Sequence, residues 1–175
     1  MGILAGMERK RYIRKVCLLG DGGVGKTSLV RRYVDDVFND KYIVSFGTKV
    51  SKKVMNVDDV ELTLMIWDVL GQSSEDSLHA AYYRGSNGAM LVGDLTRPET
   101  LEHLQKWRDD LLAVERGAKT VIVGNKADLE MGITPSSLAS LSKQLGSDVY
   151  RTSAKTGDGV ERTFEQLGKI LLGGV

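Results

Sequence analysis

Residues 20–27 read Gly-Asp-Gly-Gly-Val-Gly-Lys-Thr, a complete GxxxxGK[ST] phosphate-binding loop directly after the apolar run Val16-Cys17-Leu18-Leu19. The chemistry such a loop can do is anion capture. Gly20, Gly22, Gly23 and Gly25 let the backbone enter conformations that a Cβ would obstruct, so the amides from Asp21 through Val24 can come close to phosphate oxygens. Lys26 adds a full positive charge, and the Thr27 hydroxyl can ligate Mg²⁺, a hard cation that commonly bridges phosphates and one or two protein oxygens. Ser28 stands in the first turn of the helix expected over residues 28–34, whose unpaired amides and positive dipole end point at the same anion.

A second group of reactive residues comes after the run Met65-Ile66-Trp67. Asp68, at the expected strand end, can hold the metal directly or through water. Gly71 offers a backbone amide to a terminal phosphate, and Gln72 can orient an attacking water. The loop, the carboxylate and the glutamine together describe nucleoside triphosphate hydrolysis.

These residues need strand ends to hold them. Apolar runs recur at residues 16–19, 61–67, 89–92, 121–123 and 149–150, separated by segments of helical spacing over residues 28–34, about 77–83, 99–113, 136–145 and 159–172. Pro98 and Pro135 fall near two helix starts. That alternation predicts an α/β fold with a parallel sheet and helices on both faces. Residues 49–57 and 60–66 flank the turn-like pair Asp58-Asp59, so one edge strand is expected to be antiparallel in a six-stranded sheet. In such sheets ligands sit beyond the carboxyl ends of the strands.

Composition narrows the class further. At 175 residues and 42% hydrophobic content, without repeats or low-complexity stretches, the chain fits one domain over residues 15–175, preceded by a basic arm over residues 1–14. A net charge of +1 provides no global field for nucleic acid. Cys17, the single cysteine, lies in an apolar run, which excludes an intramolecular disulfide and suits a reducing, cytoplasmic setting. No apolar run is long enough to span a bilayer, the start lacks a myristoylation signal, and residues 171–175 carry no cysteine for prenylation, so no stable membrane anchor is expected. His79 and His103 lack the companions of a metal or nucleophile site and are expected at the surface.

The motifs at residues 20–27, Asp68-x-x-Gly71-Gln72, Asn125-Lys126-Ala127-Asp128 and Ser153-Ala154-Lys155 occur in an order that resembles the Ras superfamily of small GTPases, over roughly residues 15–172. Trp67-Asp68, Tyr82-Tyr83-Arg84-Gly85 and Asp94-Leu95-Thr96 look most similar to the Rab branch. The resemblance implies a P-loop G domain that binds GTP and GDP with Mg²⁺. It implies that Asp128 accepts two hydrogen bonds from guanine and that Asn125 ties this loop to the phosphate loop. It also implies that the Lys126 stem, with Leu129 nearby, lies along the base, and that the Ala154 amide meets guanine O6 between Ser153 and Lys155. Phe38 matches an aromatic that packs on guanine, and Tyr42 a tyrosine that closes over the phosphates. Ser45 falls where the family carries a threonine that ligates the metal, and Thr48 is the alternative if the loop is rearranged.

The residues and the resemblance together imply a GTPase in which Gln72, Lys26 and Gly71 serve catalysis and Thr27, Ser45 and Asp68 hold Mg²⁺. No internal arginine finger is evident, so turnover is expected to be slow without an activating partner. Activating, exchange and effector proteins are expected at residues 38–50 and 69–85 of a monomer. Val69-Leu70, the segment after Gln72 and Val50 depart from the Rab pattern, which bears on partners more than on chemistry. With Ser45, they leave open a nucleotide-stabilised scaffold that does not cycle. An ATP-using phosphotransferase fits less well, because the 125–128 tetrapeptide favours guanine.

Overall fold

A computed structural model describes residues 8–36, 38, 48–69 and 76–173. In chain order the elements are β1 (Lys10–Leu19), α1 (Lys26–Asp35), β2 (Lys49–Val57), β3 (Val60–Asp68), α2 (Asp76–Tyr83), β4 (Gly88–Asp94), α3 (Pro98–Glu102), α4 (Leu104–Val114), β5 (Lys119–Asn125), α5 (Pro135–Leu145), β6 (Val149–Arg151) and α6 (Val160–Leu172). They form a six-stranded sheet in the order β2-β3-β1-β4-β5-β6. Of these strands only β2 runs antiparallel, joined to β3 by a hairpin whose turn residue Asp58 adopts φ 52°. The remaining pairings are parallel.

Alternation along the buried strands divides the core in two. Val16, Leu18, Leu64, Ile66, Met90 and Val92 face one side with Leu29 and Tyr33 of α1 and Phe164 and Leu167 of α6. Cys17, Leu19, Ala89, Leu91 and Ile122 face the other, against Leu101, Leu104, Leu111, Leu141 and Leu145 of α3, α4 and α5. The Tyr33 and Phe164 rings stack at 3.8 Å, nearly parallel, and fix α1 against α6. Consecutive residues thus serve opposite layers, as a sheet covered on both faces requires.

Strand order places the phosphate loop. From β1 the chain builds outward to β3 and β2 on one side and to β4, β5 and β6 on the other, so the crevice at the end of β1 is the topological switch point of the sheet. Gly20 to Gly25 lie there.

Two expectations need correction. Residues 10–14, expected in a solvated arm, belong to β1, where Lys10 pairs with Val60 and Arg14 with Leu64 of β3. The β4 pairing starts only at Val16, so this half of β1 is flanked on one side and its side chains stay largely accessible. Backbone pairing needed no apolar run there. The helix expected over residues 99–113 is two segments meeting at His103, where ψ is −13°. Hydrogen bonds from His103 N–H to Glu99 O and from Trp107 N–H to His103 O keep the path continuous. Cys17 is buried and free, as expected of a core residue. Among the described residues no helix is long and apolar enough to cross a membrane.

Phe164 is 1% exposed and spans the α1–α6 contact. Phe164→Ala is predicted to cost about 3–5 kcal/mol of folding stability through lost apolar contact and an incompletely filled cavity, measured as a lowered denaturation midpoint in urea.

Candidate nucleotide site

The site begins where β1 runs out. Gly20 adopts φ 150°, and a Cβ there would collide with the Val92 carbonyl of β4. Gly25 adopts φ 101°, and a Cβ there would collide with the Asn125 amide nitrogen. Both glycines allow the loop to press against neighbouring strands. α1 starts at Lys26, so Thr27 and Ser28 lie in its first turn, where amides lack helical partners.

Lys26 is buried, and its Nζ donates to Gly20 O at 2.7 Å and Asp21 O at 2.9 Å. Burial lowers its pKa to about 8; the Asp68 and Asp21 charges oppose that shift and the Arg97 charge adds to it. Asp68, the last residue of β3, is also buried, and Thr27 Oγ1 donates to its Oδ2 at 2.5 Å. Burial raises the Asp68 carboxyl above its usual range, against the Thr27 hydrogen bond and the nearby Lys26, Lys49 and Arg31 charges. Of the residues expected to meet phosphate and metal, Lys26, Thr27 and Asp68 therefore lie together where β1 and β3 end.

The 125–128 tetrapeptide is fastened to the same loop. Asn125, which ends β5, donates from Nδ2 to Val24 O at 2.9 Å and accepts through Oδ1 from Thr152 Oγ1 at 3.0 Å. Lys126, in the left-handed region at φ 64°, donates from Nζ to Gly23 O at 2.9 Å and sits 2.8 Å from Asp94 Oδ2. Ser153 Oγ donates to Asp128 Oδ1 at 2.7 Å, which orients that carboxylate. Arg32 of α1 holds the 153–155 turn by donating to Ala154 O at 2.8 Å and Lys155 O at 2.6 Å. Phe38 packs partly buried against the cluster that contains Val24 and Ala154. Leu129 is half exposed beside Asp128.

Several contacts were missed from sequence. Asp94, ending β4, is fully buried and accepts from Thr96 N at 2.9 Å, Thr96 Oγ1 at 2.7 Å and Arg97 Nε at 3.1 Å. Burial pushes its carboxyl upward, but the Lys126, Thr96 and Arg97 hydrogen bonds outweigh that and hold it below the ordinary range. Arg97 also donates from Nη2 to Gly22 O at 3.0 Å. Asp21 is clamped through both carboxylate oxygens, by Trp107 Nε1 at 2.9 Å and His103 Nδ1 at 2.5 Å. His103 therefore has the carboxylate companion that its sequence neighbourhood lacks. His79, expected at the surface, is buried between the Tyr83 and Trp107 rings, at 6.0 and 5.5 Å. The Asp94-Leu95-Thr96 motif was the one available signal for this layer; the Arg97, His103 and Trp107 contacts to the phosphate loop join residues 75 to 86 positions apart.

Tyr42, Ser45, Gly71 and Gln72 lie outside the described residues. Thr48 Oγ1, the alternative metal ligand, is buried and has no hydrogen-bond partner among the described residues.

The model of the family described as Ras matches residues 15–172. The chain is 38% identical over 175 residues to the Ypt/Rab-type GTPase YPT7 of Saccharomyces cerevisiae, an alignment covering 94% of this chain and 84% of that one. It is 37% identical over 172 residues to the Ras-related protein Rab7 of Drosophila melanogaster, covering 94% and 83%. It is also 38% identical over 166 residues to the Ras-related protein Rab-21 of Homo sapiens, covering 93% and 74%.

Proposed function

The chain belongs to the Ras family and is a GTPase that acts as a GTP-binding switch, and on that premise we propose that it slowly hydrolyses GTP to GDP and phosphate with Mg²⁺, binding partners according to which nucleotide it holds. The observation that carries this reading is the convergence of Lys26, Thr27 and Asp68 at the mouth of a loop braced by Asn125.

Thr27 Oγ1 and Asp68 Oδ2, neighbouring hard oxygen donors joined by a hydrogen bond, are of the type that Mg²⁺ takes. These two and the Ser45 hydroxyl would hold it, with Thr48 as the alternative to Ser45. Bound there, Mg²⁺ would neutralise charge on the phosphate oxygens. Lys26 and the loop amides bind the β- and γ-phosphates and stabilise charge as it shifts during transfer. The Gly71 amide contacts the γ-phosphate, and Gln72 orients water in line with it. The reaction requires no covalent intermediate: water attacks the γ-phosphorus, its bond to the β–γ bridging oxygen breaks, and GDP leaves.

Base choice rests on Asp128. Its carboxylate, oriented by Ser153, accepts from guanine N1 and N2, a donor pair that adenine does not present. The Lys126 stem and Leu129 flank the base, Phe38 covers it, and the Ala154 amide, next to Lys155, donates to O6. Asn125 joins this pocket to the phosphate loop, so base and phosphates are gripped together.

Turnover alone falls on the order of 10⁻⁴ per second, the scale of Ras without an activator. A rate that slow suits a switch, in which contacts from the γ-phosphate hold the segments at residues 38–50 and 69–85 and hydrolysis ends those contacts. Activating, exchange and effector proteins bind a monomer there. The described part of this surface includes Val50, 42% exposed on β2.

Gln72→Leu is predicted to slow single-turnover hydrolysis by at least about 10-fold while GTP binding persists; unchanged turnover would remove Gln72 from the mechanism. Asp128→Asn is predicted to weaken GDP binding by roughly 100-fold or more through loss of charge-assisted hydrogen bonds to the base, and to shift preference toward xanthine nucleotides. Competition between guanine and xanthine diphosphates reads this directly, and undiminished preference for guanine would contradict the assignment.

A further inference from the structure

Three successive carbonyls of the phosphate loop each accept a side-chain donor. Gly22 O takes Arg97 Nη2 at 3.0 Å, Gly23 O takes Lys126 Nζ at 2.9 Å and Val24 O takes Asn125 Nδ2 at 2.9 Å. Lys126 and Asn125 belong to the base-recognition tetrapeptide. Arg97 belongs to none of the motifs.

The planar trans peptide gives these contacts a directional consequence. A carbonyl and the amide N–H of the next residue point to opposite sides of the same peptide unit. Holding Gly22 O on the outer side of the loop therefore turns the Gly23 N–H inward. The guanidinium uses one edge for the purpose: Nε donates to Asp94 Oδ2 at 3.1 Å while Nη2 reaches Gly22 O. Such a two-pronged edge fixes both distance and orientation, which a lysine ammonium cannot do. Asp94 is fully buried, and its Oδ2 also takes Lys126 Nζ, so one carboxylate anchors the two cations that hold Gly22 O and Gly23 O. The Arg97 charge is felt inside the loop, where it depresses the Lys26 pKa further.

We infer that Arg97 is a positioning residue for the phosphates, holding the Gly22–Gly23 peptide from outside so that the Gly23 amide faces the β-phosphate of a guanine nucleotide. The inference rests on the nucleotide reading of the preceding subsection. It extends that reading to a residue outside the tetrapeptide, and it separates Arg97 from an arginine finger, since Arg97 acts through the loop and does not touch the γ-phosphate.

The test compares affinities of the whole chain for GDP and GMP in the wild type, Arg97→Ala and Arg97→Lys. GMP shares the base, sugar and α-phosphate but lacks the group that the Gly23 amide faces. Arg97→Ala is expected to weaken GDP binding about 5–10-fold and GMP binding by less than about twofold, the scale of one partly solvated charge-assisted hydrogen bond. Arg97→Lys, which keeps the charge and loses the fork, is expected to behave like Arg97→Ala. Equal weakening of GDP and GMP would indicate general loosening and overturn the inference, as would unchanged GDP affinity in Arg97→Ala. Full recovery in Arg97→Lys would assign the effect to charge alone and also overturn it. Wild-type protein that binds neither nucleotide would defeat the nucleotide reading itself, an outcome distinct from any change confined to the variants.

Discussion

A loop that turns its amides toward an anion turns its carbonyls away from it, and those carbonyls must be satisfied elsewhere. The rest of the site depends on that constraint. Here the outward carbonyls of Gly22, Gly23 and Val24 are met by Arg97, Lys126 and Asn125, side chains from the ends of β4 and β5. These residues reach the loop because β4 lies beside β1 and β5 beside β4, with their carboxyl ends at the same edge. Gly25 makes room for Asn125, and Asp94 gathers the two cations. The sheet order, the glycine and the buried carboxylate all serve one requirement, a preorganised cradle of N–H groups.

Electrostatics sharpen the arrangement. Burial works against the charged forms of both Lys26 and Asp68, lowering the pKa of one and raising that of the other. A magnesium nucleotide supplies phosphate oxygens for Lys26 and a cation for Asp68, so the proposed ligand compensates each group at the point where burial is costly. Perturbed acids and bases gathered at a strand end are the expected signature of a functional site. Asp94 shows the contrary behaviour: its hydrogen bonds outweigh burial and hold it charged, as befits a structural anchor.

Much of the fold was legible because it is written locally. The strand–loop–helix at residues 16–34, the paired runs around Asp58-Asp59 and the buried runs of β4 and β5 each carry their own periodicity. The Asn125 link to the loop was implied by family resemblance and is present as a hydrogen bond to Val24. The contacts that escaped have no local signal. Lys10 to Arg14 join β1 through backbone pairing with β3, which leaves no apolar pattern on exposed side chains. His79 is buried by packing against Trp107, and His103 gains its carboxylate from Asp21, a residue 82 positions away. Arg97, three residues beyond the end of β4, meets Gly22 across 75 positions of sequence.

Mg²⁺-dependent phosphoryl transfer from GTP is the chemistry proposed for the convergence of Lys26, Thr27 and Asp68. The most direct test is phosphate release in a single turnover from wild-type protein fully occupied with GTP, monitored with Mg²⁺ and again with the metal chelated. Slow release that stops on chelation and resumes when Mg²⁺ is restored is the predicted result. Full occupancy without release in either condition, or release indifferent to Mg²⁺, would contradict it.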